Sequence, residues 1–155
     1  MTISPIRPAI AAPDIETAIA AVRTRGLRIS AARRLVIEAL FASQRPVSAA
    51  EIAGGLDGSQ TPLDLTSVYA NLEALETLGL VSHVHRGHGP GLYALRDRTE
   101  SDYLECERCG AFRAVRPSVL ADARAAIREA TGYQARFNHF PIIGLCETCA
   151  KEPHA

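Results

Sequence analysis

The sequence predicts an α+β chain, with an N-terminal winged helix followed by a smaller C-terminal α/β unit clasped by four cysteines. Two observations carry this reading. Between residues 14 and 79, apolar residues recur at helical spacing in four segments and then give way to a glycine-rich hairpin. Farther along, two Cys-x-x-Cys pairs, Cys106 with Cys109 and Cys146 with Cys149, supply the four soft ligands of a closed zinc site.

The elements follow in order. Residues 1–13 are rich in Ala, Pro and Ile without a capping signal and are expected to form a flexible arm. Ile15, Ala18, Ile19 and Val22 recur behind Asp14, a residue that caps helices, and Gly26 ends this first helix. Ser30 caps a second helix over Ala31 to Ala42, with Leu35, Val36, Ala39 and Leu40 as its buried stripe. Ser48 starts a third helix over Ala49 to Leu56, stopped by Gly58 and Pro62. The fourth begins at Thr66, places Val68, Leu72, Leu75 and Leu78 on one face, and closes at Gly79. Strands from Leu80 to His85 and Leu92 to Leu95 flank Arg-Gly-His-Gly-Pro-Gly, which reads as the turn of a hairpin, the wing. The polar stretch 96–101 is expected as a hinge between a winged helix over 14–95 and a zinc-binding unit over 102–150, with 151–155 as a tail. That second unit should hold strands at Asp102 to Glu105 and Ala111 to Val115, a helix from Ser118 to Ala130, and a strand from Gln134 to Ile143 interrupted by Pro141.

At 155 residues and 47% apolar content the chain can bury the cores of two small domains. It has no apolar run of about 18 residues and no secretory signal pattern, so a cytoplasmic chain without a membrane partner is expected. The formal net charge is zero, so attraction to nucleic acid must come from a local patch. Arg23, Arg25, Arg28, Arg33 and Arg34 crowd together without an intervening acid, and of these Arg23, Arg28 and Arg33 are the candidate phosphate contacts; the other reading is a solvated face. The fourth helix would enter the major groove, where Ser67, Tyr69 and Asn71 are candidate contacts beside Thr66. Tyr69 would meet a phosphate or a thymine methyl, or else pack against the second helix. Asn71 would read adenine or face solvent.

A Cys-x-x-Cys pair folds two thiolates onto one tight knuckle, and two knuckles complete a tetrahedral zinc site with no open position for a catalytic water. The pairs lie far apart, so the ion would act as a clasp between distant parts of one unit. Hydrolase and thiol-oxidoreductase readings fit poorly: no Ser-His-Asp set or phosphate loop is present, and a redox site needs one pair opening a helix, not two pairs. The chain is not expected to be an enzyme.

These motifs together resemble the ferric uptake regulator family. The resemblance rests on Gly26-Leu27-Arg28-Ile29-Ser30-Ala31-Ala32-Arg33, Val47-Ser48-Ala49-Ala50-Glu51-Ile52, Ser67-Val68-Tyr69-Ala70-Asn71-Leu72 with Gly79-Leu80-Val81, and the two cysteine pairs, the first followed by Gly110 and the second preceded by Gly144-Leu145, over roughly residues 15 to 150. It implies a homodimeric repressor that binds palindromic double-stranded operator DNA, with residues 102–150 also serving dimerisation. It further implies structural zinc on Cys106, Cys109, Cys146 and Cys149, a DNA-contacting role for Tyr69, and a second, regulatory divalent metal. The chain departs from the family pattern at several positions. Ala70 stands where the family has arginine, and Pro46 and Arg96 stand where some members have a histidine and a cysteine. Glu100-Ser101-Asp102-Tyr103 replaces the His-x-His stretch, and His139 lies one residue past the expected histidine, where Asn138 stands.

The regulatory ligands are therefore expected elsewhere. His83 and His85 share one face of a strand, and Glu100 and Asp102 repeat that spacing across the hinge. His139, with Asp102 or Glu105, forms a separate candidate site, whereas His154 in the tail is expected to play no part. The competing reading leaves the wing histidines to phosphate or water. Imidazole and carboxylate donors accept zinc, iron or nickel, so the expected function is a metal-responsive repressor with zinc ahead of iron, nickel or peroxide sensing. The alternative is a regulator that has lost metal sensing and keeps zinc only for its fold.

Overall fold

A computed structural model describes residues 8–96, 101–137 and 139–152, and the chain divides into two compact units, Met1–Thr99 and Glu100–Ala155. Each unit has its own three-stranded sheet.

In the first unit α1 (Ile15–Thr24) begins where Asp14 accepts a hydrogen bond from the Thr17 N–H at 2.7 Å, and α2 (Ala31–Ala42) begins where Ser30 accepts from Arg33. A short strand β1 (Val47–Ser48), which the sequence reading lacks, precedes α3 (Ala49–Ala53) and pairs with the wing. Helix α3 stops earlier than Leu56 because Gly54 and Gly55 intervene. At Gly55 φ is +78°, and a Cβ there would sit 2.2 Å from the Gln60 carbonyl oxygen, so only glycine fits. The chain continues as a single turn α4 (Gly55–Gly58), in which Leu56 and Asp57 also take positive φ.

Helix α5 (Leu65–Leu78) starts one residue before the expected Thr66, because Asp64 is its cap and accepts from the Ser67 N–H at 2.8 Å. Val68, Leu72, Leu75 and Leu78 are buried as expected. In α2 the buried set is Val36, Ile37, Ala39 and Leu40, while Leu35 is only partly buried. This helix packs against both α5 and the wing strand β3 (Leu92–Leu95), so its covered arc extends to Ile37. The wing is completed by β2 (Val81–Val84), antiparallel to β3, in a sheet of order β1-β3-β2.

Residues 8–13 correct the expected flexible arm. Ile10 and Ala12 are 5% and 1% exposed within the core, and the Ile10 N–H donates to the Gly79 carbonyl at 3.0 Å. Gly79, the αL cap of α5, takes φ +88°, and a Cβ would meet the Pro8 carbonyl oxygen at 2.7 Å. Burial of the arm's apolar residues against the end of α5 thus offsets the entropy of ordering them. The earlier residues, 1–7, lie outside the described set.

The second unit has a sheet of order β5-β4-β6. Central β4 (Asp102–Cys106) runs antiparallel to β5 (Phe112–Val115) and parallel to β6 (Ile142–Gly144). The parallel pair needs a crossover, which a 3₁₀ turn at Pro117–Leu120 and helix α6 (Ala121–Thr131) provide. The helix begins later than Ser118 because Pro117 opens the tighter turn first. The expected strand from Gln134 shrinks to Ile142–Gly144, since Pro141 has no N–H to donate and residues 133–137 form no ladder. A final short helix α7 (Glu147–Lys151) closes the unit.

Candidate metal centres and nucleic-acid interface

Strand pairing brings the cysteines together. Cys106 ends β4 opposite Gly144, and the Glu107 N–H donates to the Gly144 carbonyl at 2.9 Å. The first knuckle turns back as the Gly110 N–H donates to the Cys106 carbonyl, and Cys146 sits just beyond β6 as the N-terminal boundary of α7, which carries Cys149. All four Sγ atoms lie within 4.8 Å of one another, with Cys109 and Cys146 at 3.8 Å. A tetrahedron with Zn–S bonds of about 2.3 Å has edges of about 3.8 Å, whereas a disulfide would need about 2.05 Å. The residues fit zinc. The Cys106 thiol is pulled down to about 6, chiefly because the backbone N–H groups of Cys109 and Cys146 stabilise its thiolate. Cys149 is pushed up to about 12 by its hydrogen bond to Cys146, by burial and by the other two thiols. Four sulfurs this close cannot all ionise without a cation among them.

The first knuckle also contains Arg108. Its Nη1 donates to the Cys149 carbonyl at 2.6 Å and reaches the Glu152 carbonyl at 3.4 Å, tying the first knuckle to the end of α7.

In the wing, His83 stands opposite Tyr93 in the β2–β3 register, and its ring meets the His85 ring edge-on at 4.9 Å. Nδ1 of His83 hydrogen-bonds the Glu76 carboxylate from the last turn of α5. That bond, with the Glu76 charge behind it, raises the His83 pKa against the opposing effect of burial. A carboxylate on Nδ1 orients an imidazole and strengthens Nε2 as a metal donor. Glu76, His83 and His85 therefore join α5 to the wing through side chains of metal-ligating type. Sequence reasoning found the two histidines and missed Glu76, because a lone acid on a helix carries no signal until the fold brings the strand beside it.

Two of the other expected regulatory residues, Asp102 and His139, belong to the second unit. Asp102 is 1% exposed and ion-paired with Arg124 of α6, whose guanidinium also donates to the Pro117 carbonyl at 2.8 Å and lies 5.1 Å from the centre of the Phe137 ring. A buried carboxylate so engaged already has its cation. His139 is exposed and packs edge-on against Phe140 at 4.7 Å. Glu100, Asn138 and His154 lie outside the described residues.

On α5 the exposed face holds Leu65, Thr66, Tyr69, Ala70 and Glu73, with Leu65 and Tyr69 each 43% exposed. Tyr69 thus does not follow the reading that packs it against α2. Asn71 is 7% exposed, and its Nδ2 donates to the Ser67 carbonyl at 2.8 Å and lies 3.4 Å from the Ser67 hydroxyl. Its amide is spent on its own helix, and Ser67 is the partner that receives it. Helix α5 carries no Lys or Arg. Arg23, on α1, and Arg28 are exposed, and Arg33 donates to the Arg28 carbonyl. Arg34 instead bridges Glu16 and Glu38, and Arg25 donates to the Leu78 carbonyl at the end of α5.

A winged helix in one unit and a small sheet with a four-cysteine cluster in the other define a class of two-unit winged-helix proteins. The chain belongs to the Ferric uptake regulator family, whose family model matches residues 24–140. The peroxide operon regulator of Bacillus subtilis is 26% identical over 145 residues, covering 92% of this chain and 98% of that protein. Among solved structures, the Helicobacter pylori ferric uptake regulator Fur superposes with a TM-score of 0.67 at 18% identity, covering 91% of this chain and 97% of that one. A zinc uptake regulator complexed with zinc and DNA gives a TM-score of 0.55 at 22% identity, covering 88% and 93%. These two likenesses establish the fold. No helix among the described residues is long and apolar enough to cross a membrane.

Proposed function

We propose that the chain is a metal-responsive transcriptional repressor that binds palindromic double-stranded operator DNA as a homodimer, with zinc ahead of iron, nickel or peroxide as its signal. Family membership supports DNA binding, and the two relatives named for a peroxide operon and for zinc uptake frame the choice of signal. Thr66 and Tyr69 on the exposed face of α5 are the groove-facing candidates, with Arg23, Arg28 and Arg33 neutralising phosphates. Exposed Val119, Tyr133, Phe140, Ile143 and Leu145 on the C-terminal unit support a second copy as partner.

The observation that carries the metal response is the Glu76, His83 and His85 set. A divalent ion held there would cross-link the two imidazoles. Glu76 orients His83 from the end of α5, so the angle between reading helix and wing becomes sensitive to whether that set is engaged. Imidazole and carboxylate donors suit zinc without any redox change, which places zinc first. Of the further expected donors, Asp102 would have to exchange the Arg124 guanidinium for a metal, while Glu100 and His139 are to be tested by substitution.

One observation favours a second reading: the Glu76–His83 pair is complete without a metal, as expected of a regulator whose zinc is only structural. Operator fragments selected from random DNA separate the two, with affinity followed by fluorescence anisotropy as zinc is added to protein stripped of exchangeable metal. The expected outcome is a zinc-dependent gain in affinity that the double variant His83→Ala, His85→Ala loses while keeping its four-cysteine zinc. A double variant that responds like its parent excludes the wing site. A parent indifferent to zinc, iron and nickel supports the second reading.

A further inference from the structure

We propose that Arg108 is the positioning residue of the zinc clasp, holding the two cysteine knuckles in register and slowing the escape of the ion. Arg108 lies between two ligands, Cys106 and Cys109, yet its guanidinium leaves its own knuckle and donates to the Cys149 carbonyl at 2.6 Å, with the Glu152 carbonyl at 3.4 Å. The last carbonyls of a helix have no partner within it and carry its negative end, so the final turn of α7 is a natural seat for a planar cationic fork. Cys149 contributes both the sulfur for the metal and the carbonyl for Arg108. The same residue is thus gripped at two points by the opposite knuckle.

The bond joins residues 41 apart in sequence. Closing such a loop costs entropy each time the knuckles meet, and a contact that needs no metal ligand lowers that cost for zinc binding. The β4–β6 pairing brings Cys106 and Cys146 near each other, but it ends at Gly144 and leaves Cys149, on α7, without a strand to hold it. Arg108 supplies that hold. Four thiolates around a divalent ion also leave a net negative charge, which a guanidinium on the knuckle offsets. Were zinc held there and one sulfur to let go, the Arg108 tether would keep Cys149 within reach, so that rebinding would compete with release.

The test follows zinc transfer from the full-length protein to a chromophoric chelator, well below the melting temperature. Arg108→Ala is expected to speed release about tenfold, which corresponds to about 1.4 kcal/mol. Arg108→Lys, which keeps the charge but not the fork, should fall between the two. Ser48→Ala, which weakens the other unit, should release zinc at the parental rate, separating a clasp effect from general instability. Release from Arg108→Ala at the parental rate overturns the proposal. Should Arg108→Ala fail to fold, Arg108→Lys decides: faster release supports the assignment, and parental release overturns it.

Discussion

Glu51 shows how much one side chain at a helix start can do. Its carboxylate accepts from the Ser48 N–H at 2.7 Å and from the Ser48 hydroxyl at 2.9 Å while pairing with Arg45 at 2.6 Å, and the Ser48 hydroxyl in turn accepts from the Glu51 N–H. This reciprocal cap compensates for the brevity of α3, whose five residues would not hold a helix by propensity alone. Replacing Ser48 with Ala should cost about 1 kcal/mol, measured as a lower midpoint in thermal denaturation. Burial acts to raise the Glu51 pKa, but the bonds from Arg45 and Ser48 outweigh it and hold the carboxyl below its ordinary 4.5. A carboxyl lowered on folding stabilises fully above its unfolded value, and that contribution fades as pH falls through the folded value. The fall in melting temperature below about pH 4.5 should therefore be shallower in Glu51→Gln than in the parent. Parallel curves would show that Glu51 takes no part in the acid response.

Among the elements, β6 is the most exposed in its consequences. Among the described residues it pairs with β4 alone, on one edge, and Ile143 within it is 57% exposed. An open edge beside an apolar side chain is a template for another chain. If a second copy covers it, Ile143→Asp should shift the protein toward monomer by at least tenfold in sedimentation equilibrium, since burying a charge costs more than the roughly 1.5–3 kcal/mol that burying an isoleucine contributes. An unchanged dimer would place the interface elsewhere on the unit. Helix α6 points the same way, for it buries no residue fully and is held by Arg124 through Asp102, Pro117 and Phe137.

The two units of the molecule are stabilised by different means. The winged helix has a continuous core in which Ile19, Ile37, Ile52, Leu72, Leu75 and Leu80 are fully buried. In the C-terminal unit the buried set among the described residues is short: Tyr103, Val115, Pro141, Asp102 and two of the zinc cysteines. With so little apolar burial, this unit is expected to need a metal or a partner for its stability. Removing zinc with a strong chelator should therefore melt the C-terminal unit first, giving two separated transitions by circular dichroism, with the winged helix persisting at the higher temperature. A single unshifted transition would mean that the four cysteines carry no folding energy.

Features governed by local chemistry were legible in the sequence. Caps at Asp14, Ser30 and Ser48, the apolar stripe of α5, the hairpin and the paired cysteines each depend on residues a few positions apart. Features governed by distant neighbours were not. Ile10 and Ala12 read as a loose arm because nothing local says that the end of α5 lies against them. Asn71 read as a base contact because only the packed helix shows its amide turned back to Ser67. Glu76 gained its meaning from a strand that returns beside α5, Asp102 from a helix that brings Arg124 to it, and Arg108 from a knuckle far along the chain. The sequence by itself determined the helices, the wing and the four cysteines that cluster in a way that fits zinc, because spacing along a chain sets those. Tertiary structure alone decided which polar groups are engaged with one another, because that depends on which surfaces meet.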